Sequence, residues 1–205
     1  MIEAINISKH FHKRKIIGSF NTIIEKNCLT AITGESGKGK TTLLNILSLL
    51  EKPDIGVIKI DDVSNPSPRQ IMQLRRYTIS YLFQNYGLID ENTVEKNLLI
   101  SLAYKNVKNT KLSIAEVLAK VCLTGYEKRK VYELSGGEQQ RVALARVLLK
   151  DSCYVFADEP TGNLDKRNRD VVINLLRELA NKGKGVVLAT HDLEILSYAD
   201  KHINL

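Results

Sequence analysis

No run of apolar residues in this 205-residue chain approaches the roughly 18 that a membrane-spanning helix requires; the longest candidate, Leu43 to Leu50, is broken by Asn45 and Ser48. The opening residues, Met1-Ile2-Glu3-Ala4-Ile5-Asn6, hold no basic start followed by an apolar core, so no signal peptide is expected and the cytosol is the expected compartment. Cysteine is scarce: Cys28, Cys122 and Cys153 are odd in number, widely spaced and free of any Cys-x-x-Cys pair. That pattern excludes a disulfide framework and a zinc site, and reduced, mostly buried thiols are expected. Internal repeats and low-complexity tracts are also lacking.

What remains is a chain with 43% hydrophobic residues, enough to bury a substantial core in one domain or in a domain with an inserted lobe. Its 30 Lys and Arg outnumber 23 Asp and Glu, for a net charge of +7. Nucleic acid, anionic lipid and a nucleotide would each suit that charge, which does not choose among them. The densest basic clusters, His10-Phe11-His12-Lys13-Arg14-Lys15 and Tyr126-Glu127-Lys128-Arg129-Lys130, are short and read first as solvated faces.

Hydrophobic patterning predicts strands at Ile2, Ala4 and Ile5, at Ile16 to Ile24 and at Leu29 to Thr33, then a helix carried by Leu43, Leu44, Ile46, Leu47 and Leu50 that ends before Pro53 and Gly56. A short strand at Val57 to Ile60, a turn-rich connection from Asp61 to Pro68, a helix around Arg69 to Leu74 and a strand at Tyr77 to Phe83 follow. Helical spacing runs from Thr93 to Val131 and marks an inserted lobe. Beyond it come a helix through Leu149, a strand at Tyr154 to Ala157, a helix from Asn168 to Ala180 and a strand at Val186 to Ala189. Apolar strands alternating with amphipathic helices imply a parallel sheet covered on both faces, an α/β fold.

Between the third strand and its helix lies Gly34-Glu35-Ser36-Gly37-Lys38-Gly39-Lys40-Thr41, which fits Gly-x-x-x-x-Gly-Lys-Ser/Thr in full and is followed by Thr42. Its glycines let backbone N–H groups curl around phosphates at a helix N-terminus. Lys40 is expected to reach the outer phosphates and Thr41 to offer its hydroxyl to magnesium. Lys38 stands at a variable position, where its charge lies either beside the phosphates or in solvent. Downstream, Tyr154-Val155-Phe156-Ala157-Asp158-Glu159-Pro160 delivers two adjacent carboxylates at a strand's carboxyl end, where ligands of open α/β sheets bind. Asp158 is placed to hold magnesium, and Glu159 to activate or orient an attacking water.

These segments, together with Leu134-Ser135-Gly136-Gly137-Glu138-Gln139-Gln140-Arg141, make the chain resemble the ATP-binding cassette (ABC) family over nearly its whole length. The resemblance implies a phosphate-loop NTPase core with an N-terminal antiparallel β subdomain and an inserted α-helical subdomain. The single domain would span 1–205, with its core at 1–84 and 134–205 and the helical lobe at about 85–133. It implies ATP and Mg2+ as cofactors. It also implies that Ser135, Gly136 and Gly137, with Glu138, contact ATP bound to a second cassette, an identical copy being expected.

Gln84 matches the family's glutamine between sheet and lobe, which contacts magnesium and water and senses a membrane partner. His191 matches its switch histidine at the terminal phosphate, and Asp165, in Thr161-Gly162-Asn163-Leu164-Asp165, its interface-crossing loop. Phe11 is the candidate for stacking on adenine, an apolar core position being the other reading. Gln84-Asn85, the signature and Glu159-Pro160-Thr161-Gly162-Asn163-Leu164-Asp165 resemble the branch serving lipoprotein release, macrolide efflux and antimicrobial-peptide or bacteriocin export. The implied partner is an integral membrane permease, with the chain peripheral on the inner face of the membrane. Relatives usually continue past Lys201-His202-Ile203-Asn204-Leu205 into another strand. The alternative is a soluble ABC-class ATPase acting on nucleic acid or ribosomes. Such proteins usually carry two cassettes, a coiled coil or zinc-binding inserts, so nucleic acid is not the expected partner.

Overall fold

The computed structural model describes residues 1–12, 14–104, 113–162 and 164–205. A parallel sheet at its centre has the strand order β6 (Ile79–Leu82), β7 (Tyr154–Asp158), β8 (Gly185–Ala189), β3 (Cys28–Thr33) and β9 (Lys201–Asn204). Alternation along β7 sorts the core to its two sides. Tyr154 and Phe156 face Leu43, Leu44, Ile46 and Leu47 of α1 (Lys40–Leu47), whereas Val155 and Ala157 face α5 (Gly136–Lys150) and α6 (Lys166–Asn181). A period of two on a sheet buried on both faces demands this apolar content at every position, and all of β3, β7 and β8 is buried.

The α1 side is completed by an antiparallel sheet in the order β2 (Arg14–Ile24), β1 (Ile2–Phe11), β4 (Ile55–Ile60) and β5 (Val63–Ser64), which contributes Ile2, Ile7, Ile24, Ile58 and Ile60 to the same core. On the other side, α3 (Val94–Leu99) and α4 (Ile114–Lys120) pack Val94, Leu98, Val117 and Leu118 against α5. The expected α/β core, antiparallel sheet and helical lobe are therefore present. Where it is described, the lobe is less continuous than its spacing suggested: α3 runs into a 3-10 turn at Ile100–Leu102, and α4 ends at Lys120 and gives way to turns.

Several boundaries differ from expectation for local reasons. Helix α1 begins at Lys40, inside the polar end of the phosphate loop. It stops at Leu47, where Ser48 caps it and Leu49 turns to φ +62, short of Pro53. Tyr77 belongs to α2 (Pro68–Tyr77), whose Ser67–Gln70 capping box and Pro68 set its start, so β6 begins only at Ile79. The chain's last residues, expected to stop short of a further strand, themselves form β9, parallel to β3. Of the cysteines only Cys28 is buried; Cys122 and Cys153 sit in exposed turns. Phe156 fills the centre of the sheet with no exposed surface. Phe156→Ala is expected to cost about 3–5 kcal/mol in urea denaturation, with activity lost only as the protein unfolds.

Candidate functional site

The phosphate loop leaves β3 at Gly34 and enters α1 at Lys40. Gly34, Gly37 and Gly39 take φ +142°, +78° and +99°. Two of them are also forced by space: a Cβ on Gly34 would lie 2.6 Å from the Leu205 carbonyl oxygen, and one on Gly39 would lie 2.8 Å from Ile16 Cγ2. Lys40, largely buried, donates from Nζ to the carbonyls of Gly34 (2.9 Å) and Glu35 (3.1 Å), which holds its ammonium across the mouth of the loop. Glu35, Ser36 and Lys38 are exposed, with Lys38 Nζ 3.7 Å from the Glu35 carboxylate, so of its two readings the solvent-facing one describes this structure.

Strand register brings the other groups to the loop. Asp158 ends β7 with 5% of its surface exposed, and Thr41 Oγ1 donates to its Oδ1 at 3.1 Å. Burial raises the Asp158 carboxyl above the usual range, as does neighbouring Glu159; the Thr41 hydrogen bond and Lys40 oppose them. Glu159 turns away in a left-handed conformation (φ +44°), with its amide donating to Ala189 O at 2.9 Å. That backbone state is unfavourable for a non-glycine residue and is held by the pairing of β7 and β8. It places Glu159 Oε2 3.0 Å from His191 Nδ1 and 3.4 Å from Thr190 Oγ1. A cavity of about 290 Å³ is lined by Ser36, Gly37, Lys40, Thr41, Thr42, Gln84 and Glu159, with Ile16 and Gly39 closing it.

The signature lies elsewhere on the surface. Ser135 caps α5: its hydroxyl accepts from the Glu138 amide (3.4 Å), while Glu138 Oε2 takes the Ser135 amide and hydroxyl, both at 2.8 Å. Tyr126 donates to Glu138 Oε1 at 2.8 Å. Burial pushes the Glu138 carboxyl up, but these hydrogen bonds outweigh it and hold it below its usual range. Ser135 and Gly136 are exposed and line no part of the phosphate cavity of their own chain.

Asp165 is the N-cap of α6, accepting from the Asn168 amide at 2.8 Å, and Arg141 binds the Asn168 side chain. Asn163 lies outside the described residues. Phe11 is 47% exposed at the end of β1, which removes the core reading; Ile16, across the same hairpin, is the residue that reaches the cavity.

Three neighbours escaped the sequence reading. Arg141 stood inside the quoted signature and Thr190 beside His191, but neither carried a separate signal, and Tyr86 follows Gln84-Asn85 in a turn whose geometry only the backbone reveals. A larger groove, about 490 Å³, opens between α2 and the lobe. Ile71, Met72, Phe83 and Tyr104 supply apolar surface, and Arg75, Arg76 and Arg146 supply charge.

A family model described as ABC transporter matches residues 17–162. The chain belongs to the ABC transporter family. It is 38% identical to the lipoprotein-releasing system ATP-binding protein LolD of Buchnera aphidicola subsp. Schizaphis graminum, over 97% of this chain and 91% of that protein. The macrolide export ATP-binding/permease protein MacB of Mannheimia succiniciproducens is 34% identical over the full chain, which spans 33% of MacB's length. The dimeric structure of the bacterial ABC transporter cassette MJ0796 superposes with a TM-score of 0.90 at 31% identity, covering 100% of this chain and 94% of that one. A dimeric post-hydrolysis state of the same cassette, bound to ADP and Pi, superposes equally well. The cassette is thus an ABC ATPase domain whose nucleotide is ATP.

The raised carboxyl of Asp158 also sets a stability difference. Its proton is held more tightly in the folded than in the unfolded chain, so the ionised form costs stability above the unfolded carboxyl's range. Nucleotide-free Asp158→Asn is expected to melt higher than the parent near about pH 8, with the gap closing toward about pH 4 as the parent's carboxyl protonates. A gap independent of pH would remove the charge as its cause.

Proposed function

We propose that this cassette binds and hydrolyses ATP at two sites shared between two copies, and that it powers a separate membrane permease from the inner face of the membrane. The observation that carries this reading is the separation of the two half-sites: Lys40, Thr41 and Glu159 line one cavity, with Asp158 bonded to Thr41 and His191 3.0 Å from Glu159, while Ser135 and Gly136 lie exposed outside it. A glycine-flanked helix N-terminus is built to bind an anion. Within one chain the signature meets no phosphate; in a facing pair, Ser135, Gly136 and Gly137 of each copy would close on the terminal phosphate held by the other. Dimeric MJ0796 supports this arrangement.

In this reading the amides of the loop from Gly34 to Thr42 cradle the phosphates and Lys40 neutralises the outer ones. Glu159 takes the proton of the attacking water as its oxygen bonds the terminal phosphorus and ADP leaves. His191, held against Glu159, faces the terminal phosphate, and Thr190 donates to the same Glu159 oxygen. Phe11 lies beside the adenine, and Asp165 crosses to the second copy.

The donor set fits Mg2+: a hard carboxylate at Asp158, desolvated and short of charge compensation, with the Thr41 hydroxyl against it and Gln84 on the same cavity. Among the described residues no three His, Cys, Asp or Glu side chains could hold a metal by themselves, so phosphate oxygens would have to complete the shell. Bound there, the ion would supply electrostatic stabilisation of charge on the leaving phosphates.

LolD and MacB support a place in the branch that serves lipoprotein release and macrolide export; antimicrobial peptides, bacteriocins among them, enter only through the resemblance of the short motifs. Among the described residues no helix is long and apolar enough to cross a membrane, and this reading assigns the passage to the permease. The 490 Å³ groove suits a short amphipathic helix of that permease, its apolar side on Met72 and Tyr104 and its carboxylates toward Arg75 and Arg76.

Glu159→Gln is expected to keep ATP binding, lose hydrolysis by about 10²–10⁴-fold and run as an ATP-dependent dimer on sizing chromatography. If ATP leaves that variant monomeric, the shared-site reading is wrong. Lys40→Ala is expected to weaken ATP binding at least about tenfold by equilibrium titration, since it removes a charge-assisted phosphate contact; unchanged affinity would remove Lys40 from the site.

A further inference from the structure

The turn after β6 touches three parts of the molecule at once. Tyr86 has φ +63°, an outlying backbone state for a bulky residue, and Gly87 follows at φ +59°. Both carbonyls are held by one side chain: Arg146 on α5 donates from Nη2 to Tyr86 O at 2.9 Å and from Nη1 to Gly87 O at 2.5 Å. From this clamped turn the Tyr86 ring runs along α5 toward its N-terminus. Its hydroxyl would lie 3.1 Å from a Cβ placed on Gly136, the first helical residue of the signature. A side chain at position 136 would press on the tyrosine hydroxyl, which would have to yield by a few tenths of an ångström.

The same turn also separates two spaces. Gly87 and Arg146 line the 490 Å³ groove, whereas Tyr86 lines a narrow recess with Gln84, Gln140, Glu159 and Gly162. A strained backbone persists where its surroundings over-determine it, and here they do so on both sides. Resting on the shared-site reading above, we propose that Tyr86, clamped by Arg146, is a positioning residue that fixes the signature turn at Gly136 relative to Gln84 and Glu159. ATP-dependent pairing of two copies then depends on it, although it touches no part of the nucleotide cavity of its own chain.

The test uses the full chain in the Glu159→Gln background. The readouts are dimer formation against ATP concentration by sizing chromatography, and monomer affinity for a fluorescent ATP analogue at protein concentrations too low for pairing. Adding Tyr86→Ala is expected to raise the ATP concentration for half-dimerisation about tenfold, within the usual range of coupling between sites, and to leave monomer affinity within about twofold. Tyr86→Phe, which keeps the ring but lacks the hydroxyl that reaches Gly136, is expected to shift pairing in the same direction as Tyr86→Ala, by less. Arg146→Lys, which keeps the charge but cannot fork to both carbonyls, is expected to shift pairing in the same direction as Tyr86→Ala and serves if that variant does not fold.

A dimerisation curve for Tyr86→Ala overlying that of Glu159→Gln alone overturns the proposal. So does a parallel loss of monomer affinity, which would mark a merely structural role. Absence of a dimer in Glu159→Gln itself would instead overturn the shared-site reading, and this inference with it.

Discussion

The parallel register of four strands is the constraint from which the site follows. Leu82 on β6 pairs with Ala157 on β7, Asp158 with Ala189 on β8, and Ile32 on β3 with the same Ala189. The next residues along each strand are therefore neighbours in space: Phe83-Gln84, Glu159, Thr190-His191 and Thr33-Gly34. The polar groups at these strand ends do not set the alignment of the strands. The apolar side chains beneath them do, because Phe156, Val187 and Ile32 must face α1 while Val155, Ala157 and Leu188 face α5 and α6. A slip of one residue in β7 would exchange those faces and carry Asp158 away from Thr41, so core packing and catalytic alignment are specified by one alternation.

On that frame the site holds charge in unfavourable places. Asp158 is buried, its carboxyl raised by desolvation against the Thr41 hydrogen bond and Lys40, and Glu159 occupies a left-handed backbone state. Lys40 spends its donors on two loop carbonyls. A polyphosphate and a divalent cation would answer each of these conditions together, which is the ordinary relation between a destabilised site and its ligand. The surrounding sheet can carry the cost because β3, β7 and β8 expose almost nothing to water.

The phosphate loop, the acid pair and the signature were legible in the sequence because their chemistry is local. A turn needing three positive φ angles needs three glycines, and a strand end must announce itself with apolar residues before the acids. Strand β9 was not legible: Lys201-His202-Ile203-Asn204 has little strand character, and it is ordered by pairing with Thr30 to Thr33, about 170 residues away, with Asp200 accepting from the Leu29 amide. The start of α1 was hidden for the opposite reason, since Lys40-Thr41-Thr42 is polar yet helical because the loop ends there. Cys122 reads as a small core residue but occupies a φ +58° turn after α4, which no composition rule anticipates.

Helix α5 ties these parts together. Ser135 caps its exposed end, Arg141 reaches Asn168 at the start of α6, Arg146 holds the turn at Tyr86 and Gly87, and Lys150 donates to the carbonyls of Arg75 and Ile79 beside the groove. Its 15 residues span about 22 Å at the α-helical rise, and its buried side is packed on the sheet along most of that length. A packed helix shifts or rotates as a unit and does not compress. Displacement of α2 at the groove must therefore break the tie from Lys150 to Arg75 or move the whole helix, Ser135 included. The cap that would meet a neighbouring copy's phosphate and the wall of the groove are two ends of one rigid element, so whatever occupies one is felt at the other.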